Sequence, residues 1–184
     1  PPGKDLSHQL ELQLPEPAGR LRAVKDPHGE MVSFVYGQNG LLTTVSSPLA
    51  GAVSIVRDTN NRIIQLVRER DGLTYTYQYN AQGRLMRSAD FAERATHYEY
   101  NTTQVGTSAY GRLSRLSDPM NRSIVFTYYD DGRAYQQFEP GGAKWVFFYA
   151  PFLIDRFTRV QQPDGNTFEV RFDDQFRVVE TVYP

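Results

Sequence analysis

Apolar and polar residues alternate through seven stretches of the chain. One side of the alternation reads Val32, Phe34, Tyr36; Val53, Ile55, Arg57; Tyr75, Tyr77, Tyr79; Thr96, Tyr98, Tyr100; Ile124, Phe126, Tyr128; Trp145, Phe147, Tyr149; and Phe168, Val170, Phe172. All but Arg57 and Thr96 are apolar or aromatic, whereas the intervening residues, such as Thr74, Thr76 and Gln78, are mostly polar, with Val146 and Phe148 as exceptions. A period of two sends successive side chains to opposite faces of a strand, so each stretch predicts a strand with one aromatic face. The runs between them are about five residues long, which suits strands and is too short for helices. No helical period of useful length occurs anywhere.

Two turn signals separate the strands. Asp26-Pro27-His28-Gly29, Asp118-Pro119-Met120-Asn121, Glu139-Pro140-Gly141-Gly142 and Gln162-Pro163-Asp164-Gly165 place proline where its fixed φ suits the second residue of a type I turn. The other signal is a short polar loop ending on glycine, such as Tyr79-Asn80-Ala81-Gln82-Gly83. A glycine able to take φ > 0 at that point predicts a hairpin loop with a bulge.

These signals recur in register. Gly-Arg-Leu at Gly19, Gly83 and Gly111 serves as a ruler, with degenerate copies beginning at Gly40, Asn61, Gly132, Asp155 and Phe176, in steps of 21 to 28 residues. The second ruler position holds Arg20, Arg62, Arg84, Arg112, Arg133, Arg156 and Arg177, with Leu41 the exception. Proline stands eight residues after the ruler start at Pro27, Pro48, Pro119, Pro140, Pro163 and Pro184, and an aromatic closes the repeat at Tyr36, Tyr79, Tyr100, Tyr128, Tyr149 and Phe172. Eight copies in fixed register predict an all-β array of antiparallel hairpins, forming a twisted, curved, shell-like sheet in which each repeat is stabilised by its neighbours. The extra residues within Asn101–Tyr110 and Ala150–Ile154 fall on loops. Residues 19–184 form the array and residues 1–18 a leader, read as a partial repeat because Leu10, Leu12 and Leu14 alternate.

Composition narrows the function. With 20 basic and 21 acidic side chains there is no footprint for nucleic acid or an anionic membrane. There is no cysteine and only His8, His28 and His97, so disulfides and thiolate metal sites are excluded and zinc has little to bind. The longest apolar run, Trp145 to Ile154, is half a bilayer span and is broken by Pro151. Asp130-Asp131 and Asp173-Asp174 sit in predicted hairpin loops, where aspartate serves turn geometry. No Ser-His-Asp set, phosphate loop or dinucleotide fingerprint is present. No catalytic, cofactor or metal residue is therefore assigned, and the chain is read as a non-enzyme without cofactors. A propeller would need alternate copies to differ, and a membrane barrel needs longer strands.

The pattern Tyr-x-x-x-Gly-Arg-Leu, then Asp-Pro-x-Gly, then Tyr resembles the RHS or YD repeat from Gly19 to Pro184. That resemblance implies a shell: repeats of bacterial RHS proteins, insecticidal toxin-complex components and teneurins wind a strip of antiparallel sheet into a hollow cocoon. In the bacterial members the shell encloses a variable C-terminal toxin freed by a paired-aspartate self-cleaving site. No such site and no toxin domain match here, so no cleavage role is carried to any residue.

The expected role is thus structural, a segment of an RHS-type shell, bacterial, secreted, injected or surface-displayed, partnered by the rest of the shell and an enclosed effector. The alternative is an adhesion module binding glycans or a surface protein through tyrosine and arginine. Within the structural reading, Gly19, Gly40, Gly83, Gly111 and Gly132, the arginine column, Pro27, Pro119, Pro140, Pro163 and the closing tyrosines are repeat positions. Each guanidinium is expected to stack on a tyrosine or pair with a carboxylate just before the proline column, Asp26, Asp90, Asp118 or Glu139. The chain begins and ends at one phase of the repeat, as a slice of a longer array would, and the final strand former, Phe176 to Tyr183, is expected to seek a partner edge.

Overall fold

The alternating stretches fold as strands, paired with their neighbours in the chain within each unit. The computed structural model describes residues 11–13, 19–150 and 156–183, which fall into two compact units. The first carries β1 (Glu11–Gln13), β2 (Ala23–Lys25), β3 (Met31–Tyr36), β4 (Leu42–Ser47), β5 (Gly51–Arg57), β6 (Ile63–Arg68) and β7 (Leu73–Tyr79), each antiparallel to the next. β8 (Leu85–Ala89) is divided, Leu85–Arg87 clustering with the second unit and Ser88–Arg94 with the first. The second unit continues with β9 (Ala95–Tyr100), β10 (Leu113–Ser117), β11 (Ser123–Tyr128), β12 (Ala134–Phe138), β13 (Lys144–Tyr149), β14 (Phe157–Gln161), β15 (Thr167–Phe172) and β16 (Val178–Val182). These too form an antiparallel meander. No helix occurs among the described residues, and none there is long and apolar enough to cross a membrane. The expected all-β, antiparallel hairpin fold is what forms.

Both turn signals use the same backbone solution. At the ruler, Gly83 N–H donates to the Asn80 carbonyl and Asn80 N–H to the Arg84 carbonyl, each at 2.9 Å. At the proline turn, Gly165 N–H donates to Gln162 at 3.0 Å and Gln162 N–H to Asn166 at 2.8 Å. In each the fourth residue is left-handed, Gly83 at φ +79° and Gly165 at +90°, which follows from a type I turn closed by a bulge. Where glycine is missing the conformation persists: Asn61 has φ +63° and Phe176 +59°. The turns at Asn61 and Phe176 therefore keep the repeat geometry, at little cost for asparagine and with local strain at Phe176 that glycine would avoid. Asp155 lies outside the described residues.

The ruler hairpins differ from the proline hairpins one step into the ladder. The closing residue pairs with the third ruler residue, as Tyr36↔Leu42, Arg57↔Ile63, Tyr128↔Ala134 and Phe172↔Val178, and the residue that follows each of these partners on the returning strand is bulged out. A bulge of this kind bends its strand and increases the local twist.

Burial is shallow. Among the described residues only Ala23, Ala89, Ala109, Val146, Val160, Ser117 and Gly132 are buried, and no large side chain is fully enclosed. Most of the aromatic face is half-buried, and Val32 and Tyr75 on it are exposed. The strands of each unit touch only their sequence neighbours, so side chains pack laterally along the sheet. On the polar face Arg159, Glu169, Arg171 and Glu180 alternate in charge across β14, β15 and β16, with cross-strand contacts of 2.7 Å for Arg159–Glu169 and 3.3 Å for Arg171–Glu180.

The insertion at Asn101–Tyr110, expected as a plain polar loop, is folded back onto the next ruler turn. Ser108 N–H donates to the Asp130 carbonyl at 2.9 Å, Gln104 Nε2 to Asp130 Oδ1 at 3.1 Å, and Ala109 is fully buried. Of the second insertion, Ala150–Ile154, all but Ala150 lies outside the described residues.

This packing separates two glycines of equal backbone conformation. A methyl added at Gly83 (φ +79°) would meet only Arg62 Nη1 at 3.5 Å, so Gly83→Ala should cost about 1–2 kcal/mol of left-handed strain. At Gly132 (φ +84°) it would meet the Ser108 carbonyl at 2.7 Å and Arg112 Nε at 2.6 Å, so Gly132→Ala should lose roughly 1–3 kcal/mol more. Urea unfolding measures both. Equal losses would show that the insertion is not seated on this turn.

Candidate functional site

The chemistry of the chain is concentrated where one repeat meets the next. At the ruler turn of Asp58–Arg62, Asp58 Oδ1 accepts the Asn60 and Arg62 N–H groups at 2.9 Å each, while Oδ2 accepts Arg62 Nε at 2.8 Å and Nη2 at 2.7 Å. One carboxylate therefore closes the turn and aims the guanidinium. Arg62 then lies over the Tyr79 ring at 4.8 Å, beside Gly83 of the following ruler. The Tyr79 hydroxyl donates to the Ile63 carbonyl at 2.8 Å, beyond Gln65↔Thr76, where the β6–β7 ladder ends. Turn, cation, ring and carbonyl make a clamp across successive strands.

The clamp recurs. Arg20 lies 5.7 Å from the Tyr36 ring and against Gly40, where an added methyl would sit 2.6 Å from its Cζ, and Tyr36 donates to Leu21 at 2.9 Å. Tyr100 donates to Leu85 at 2.8 Å and Tyr128 to Leu113 at 2.6 Å. Arg112 packs on Gly132, with Nε donating to the Ser108 carbonyl at 3.0 Å. Arg133 lies over Tyr149 at 4.6 Å and pairs with Asp131 at 2.7 Å. Where the ruler glycine is replaced by Phe176, Arg156 lies over that ring at 5.7 Å and pairs with Asp174 at 2.6 Å. At Phe172, which has no hydroxyl, backbone pairing runs further, through Phe157↔Arg171 and Phe172 N–H to Arg156 O at 2.8 Å.

The carboxylate partners differ from those expected. Asp118 pairs with Arg122 of its own proline turn and Asp90 with Arg94 of the corresponding turn, where Phe91 stands in the proline position, at 2.6 Å each, and Asp26 accepts the His28 and Glu30 N–H groups. An aspartate that spends one oxygen closing its turn can reach only a side chain of that same turn with the other. The ruler arginines are served instead by Asp58, Asp131, Asp174 and Asp173, the last pairing with Arg177 at 2.7 Å.

Two apparent exceptions turn out to be one substitution. Leu41 lacks the ruler guanidinium, and Arg57 stands in the aromatic column sixteen residues on. Arg57 Nη2 donates to the Leu42 carbonyl at 3.4 Å, the place a tyrosine hydroxyl takes elsewhere, and Nη1 to the carbonyl of Asn61, the next ruler residue, at 3.0 Å. One arginine thus makes contacts that a tyrosine and an arginine divide in the other repeats. The spacing between the two exceptions was the available signal.

Charge follows the geometry. The hydrogen bond from the Arg62 side chain holds Asp58 below the usual carboxylate range, and Arg94 and Arg133 do the same for Asp90 and Asp131. Asp118 and Asp173 are lowered first by the backbone N–H of Arg122 and Arg177. Burial pushes the Tyr128 and Tyr149 phenols up, which keeps them protonated at neutral pH. No group of three or more metal-ligating side chains gathers among the described residues. A cleft of about 210 Å³ is lined by Tyr149, Phe157, Phe172 and Phe176 with Arg133 and Arg156 at its edge.

Residues 57–95, which include the Arg62, Tyr79 and Gly83 clamp, match the family described as RHS Repeat. This stretch is an RHS repeat. A search of the curated proteins finds no match to the chain. Among solved structures, the crystal structure of TcdB2-TccC3 aligns with 95% of this chain at 14% identity and a TM-score of 0.55. TcdB2-TccC3 without its hypervariable C-terminal region aligns with 91% at 13% identity and 0.52, and the Tc holotoxin pore of Photorhabdus luminescens with 90% at 13% and 0.50. The chain spans only 10–11% of the length of those chains. At this identity the likeness is one of fold, and the RHS repeat sits inside it.

Two measurements test the clamp. Tyr79→Phe removes only the hydroxyl that serves Ile63 and should cost about 1 kcal/mol in urea unfolding; an unchanged midpoint would show that water replaces it without loss. Acid tests the carboxylates. Their folded pKa values lie below the unfolded ones, so the stability they contribute is complete above the unfolded value near ~4 and is lost as pH falls through the lower folded values. The melting temperature should be flat from about pH 5 to 8 and fall below about pH 4, and Asp58→Asn, which keeps the turn-closing oxygen, should retain more stability than Asp58→Ala.

Proposed function

We propose that this chain is a structural segment of an RHS-repeat β-shell that encloses or carries an effector, in a bacterial protein that is secreted, injected or displayed at the surface. The observation that carries the reading is the recurrence of the clamp: Arg20, Arg62 and Arg133 lie over the tyrosine that closes their own repeat, and Arg20, Arg62, Arg112 and Arg156 pack against the ruler turn of the next. Such a device joins repeats and leaves little of the arginine column for a ligand. The RHS repeat at residues 57–95 and the shared fold with TcdB2-TccC3 support the same conclusion. Residues 19–184 act as the array, with β1 supporting the reading of the leader as part of a repeat, since Leu12 pairs with Val24. The Gly, Arg, Pro and Tyr columns are structural positions, and the chain works without catalysis. The adhesion alternative is disfavoured because Arg62, Arg133, Arg156 and Arg177 are each already paired with a carboxylate.

In the complete gene product we expect these repeats to continue into a non-repeat effector that resists trypsin until the clamp is broken. Arg62→Ala combined with Tyr79→Phe should expose it. An effector digested equally fast in both proteins, or a gene product of these repeats alone, overturns the enclosure.

A further inference from the structure

Two ruler turns are closed from their third residue and not from their first. Asp58, Asn80 and Asp173 stand at the first position, and each accepts two backbone N–H groups. Gly37 has no side chain for this, and the Tyr129 hydroxyl reaches the Phe147 carbonyl instead. In these two turns Asn39 Oδ1 accepts the Leu41 N–H at 3.1 Å and Asp131 Oδ1 the Arg133 N–H at 2.9 Å. Each is followed by a left-handed glycine, Gly40 at φ +76° and Gly132 at +84°, on which the ruler arginine of the preceding repeat packs. An added methyl would lie 2.1 Å from Arg20 Nη2 at Gly40 and 2.6 Å from Arg112 Nε at Gly132. Hydrogen bonds from Arg133 hold the Asp131 carboxyl below the usual range, and the charge of Arg112 adds to them. Asn39 thus puts an amide where the matching turn has a carboxylate.

Asn39 is also the one asparagine in the chain followed by glycine. The following residue governs how easily its own main-chain nitrogen reaches the asparagine side chain, because a Cβ there crowds the approach. Asn80 and Asn101 are followed by Ala81 and Thr102, and each of their Oδ1 atoms holds two backbone N–H groups. Asn39 is exposed, and its Oδ1 holds one.

We propose that Asn39 is a deamidation site and that the aspartate formed there serves Arg20 as Asp131 serves Arg112. The Gly40 nitrogen bonds to Asn39 Cγ, Nδ2 leaves as ammonia with the Gly40 proton, and a cyclic imide results. Water then adds at Cγ, the new Cγ–N bond breaks, and a carboxylate stands on an unchanged backbone. A cation packed on the same turn stabilises that carboxylate. The Gly40 N–H is donated to the Gly37 carbonyl at 2.8 Å, so the reaction passes through local opening of this turn. None of this chemistry depends on whether an effector is enclosed.

The test uses the whole chain. When it is held folded at about pH 8, peptide mapping by mass spectrometry should show amide-to-acid conversion at residue 39 ahead of every other asparagine. In the Asn39→Asp chain, which carries the product, carboxyl NMR should show residue 39 titrating below an ordinary aspartate. Adding Arg20→Gln, which removes the charge and keeps a polar side chain, should move that titration up. Should this variant fold poorly, about 1 M salt, which screens an exposed pair, should do the same. Earlier conversion at another asparagine, no conversion at residue 39 in a folded chain whose urea-unfolded form converts, or a titration indifferent to both Arg20 and salt overturns the proposal.

Discussion

Within each unit the described strands form a single layer with no second layer to bury its face against, and that constraint governs the packing of both. Two-layer domains draw stability from a shared interior, whereas here the buried residues among those described are few and mostly small. The aromatic side chains are half-covered by the neighbouring strands, so their contribution depends on lateral register. A slip of one residue would carry every ring to the other face. Register is therefore held by more than backbone pairing: a carboxylate closes the turn, an arginine reaches across, and a tyrosine hydroxyl fastens the strand end where the ladder stops.

The bulge and the clamp are two parts of one geometry. Inserting a residue after the third ruler position ends the regular ladder at the closing aromatic. The Ile63 carbonyl then lies beyond the last backbone pair of β6 and β7, and the phenol fills that role at a reach no backbone donor has. At Phe172 the hydroxyl is missing and backbone pairing extends to Phe157 instead. The comparison shows why tyrosine predominates in this column: phenylalanine supplies the same apolar body without the donor.

Much of the fold was legible because its physics is periodic. Alternation identified the strands, Gly and Pro placed the turns, and register separated structural columns from chance. The left-handed conformation of Phe176 was not legible from the residue, since phenylalanine seldom adopts it, whereas asparagine takes it readily at Asn61; at Phe176 the turn geometry of the array overrides local propensity. Nor was the seating of Asn101–Tyr110, because polar composition does not reveal that Ser108 and Gln104 will find partners on a turn more than twenty residues away. The carboxylate partners were misread for a related reason. Sequence places an aspartate before a proline but does not say that one of its oxygens is already committed to the turn.

The Leu41 and Arg57 exchange shows what the array conserves physically. If each column required its own residue, losing arginine at one position and tyrosine at another would be two defects. They occur sixteen residues apart, at the spacing that brings Arg20 over Tyr36, and a single guanidinium contacts both the Leu42 and Asn61 carbonyls. At Tyr36, Arg57, Tyr79, Tyr100 and Tyr128 a side-chain donor stands at the ladder's end, and Arg20, Arg57, Arg62 and Arg112 set a planar cation against the next turn. Because these contacts join only adjacent repeats, the consequences of changing one stay local, and the remaining clamps keep their geometry. An array built in this way tolerates drift in any one copy provided the pair drifts together.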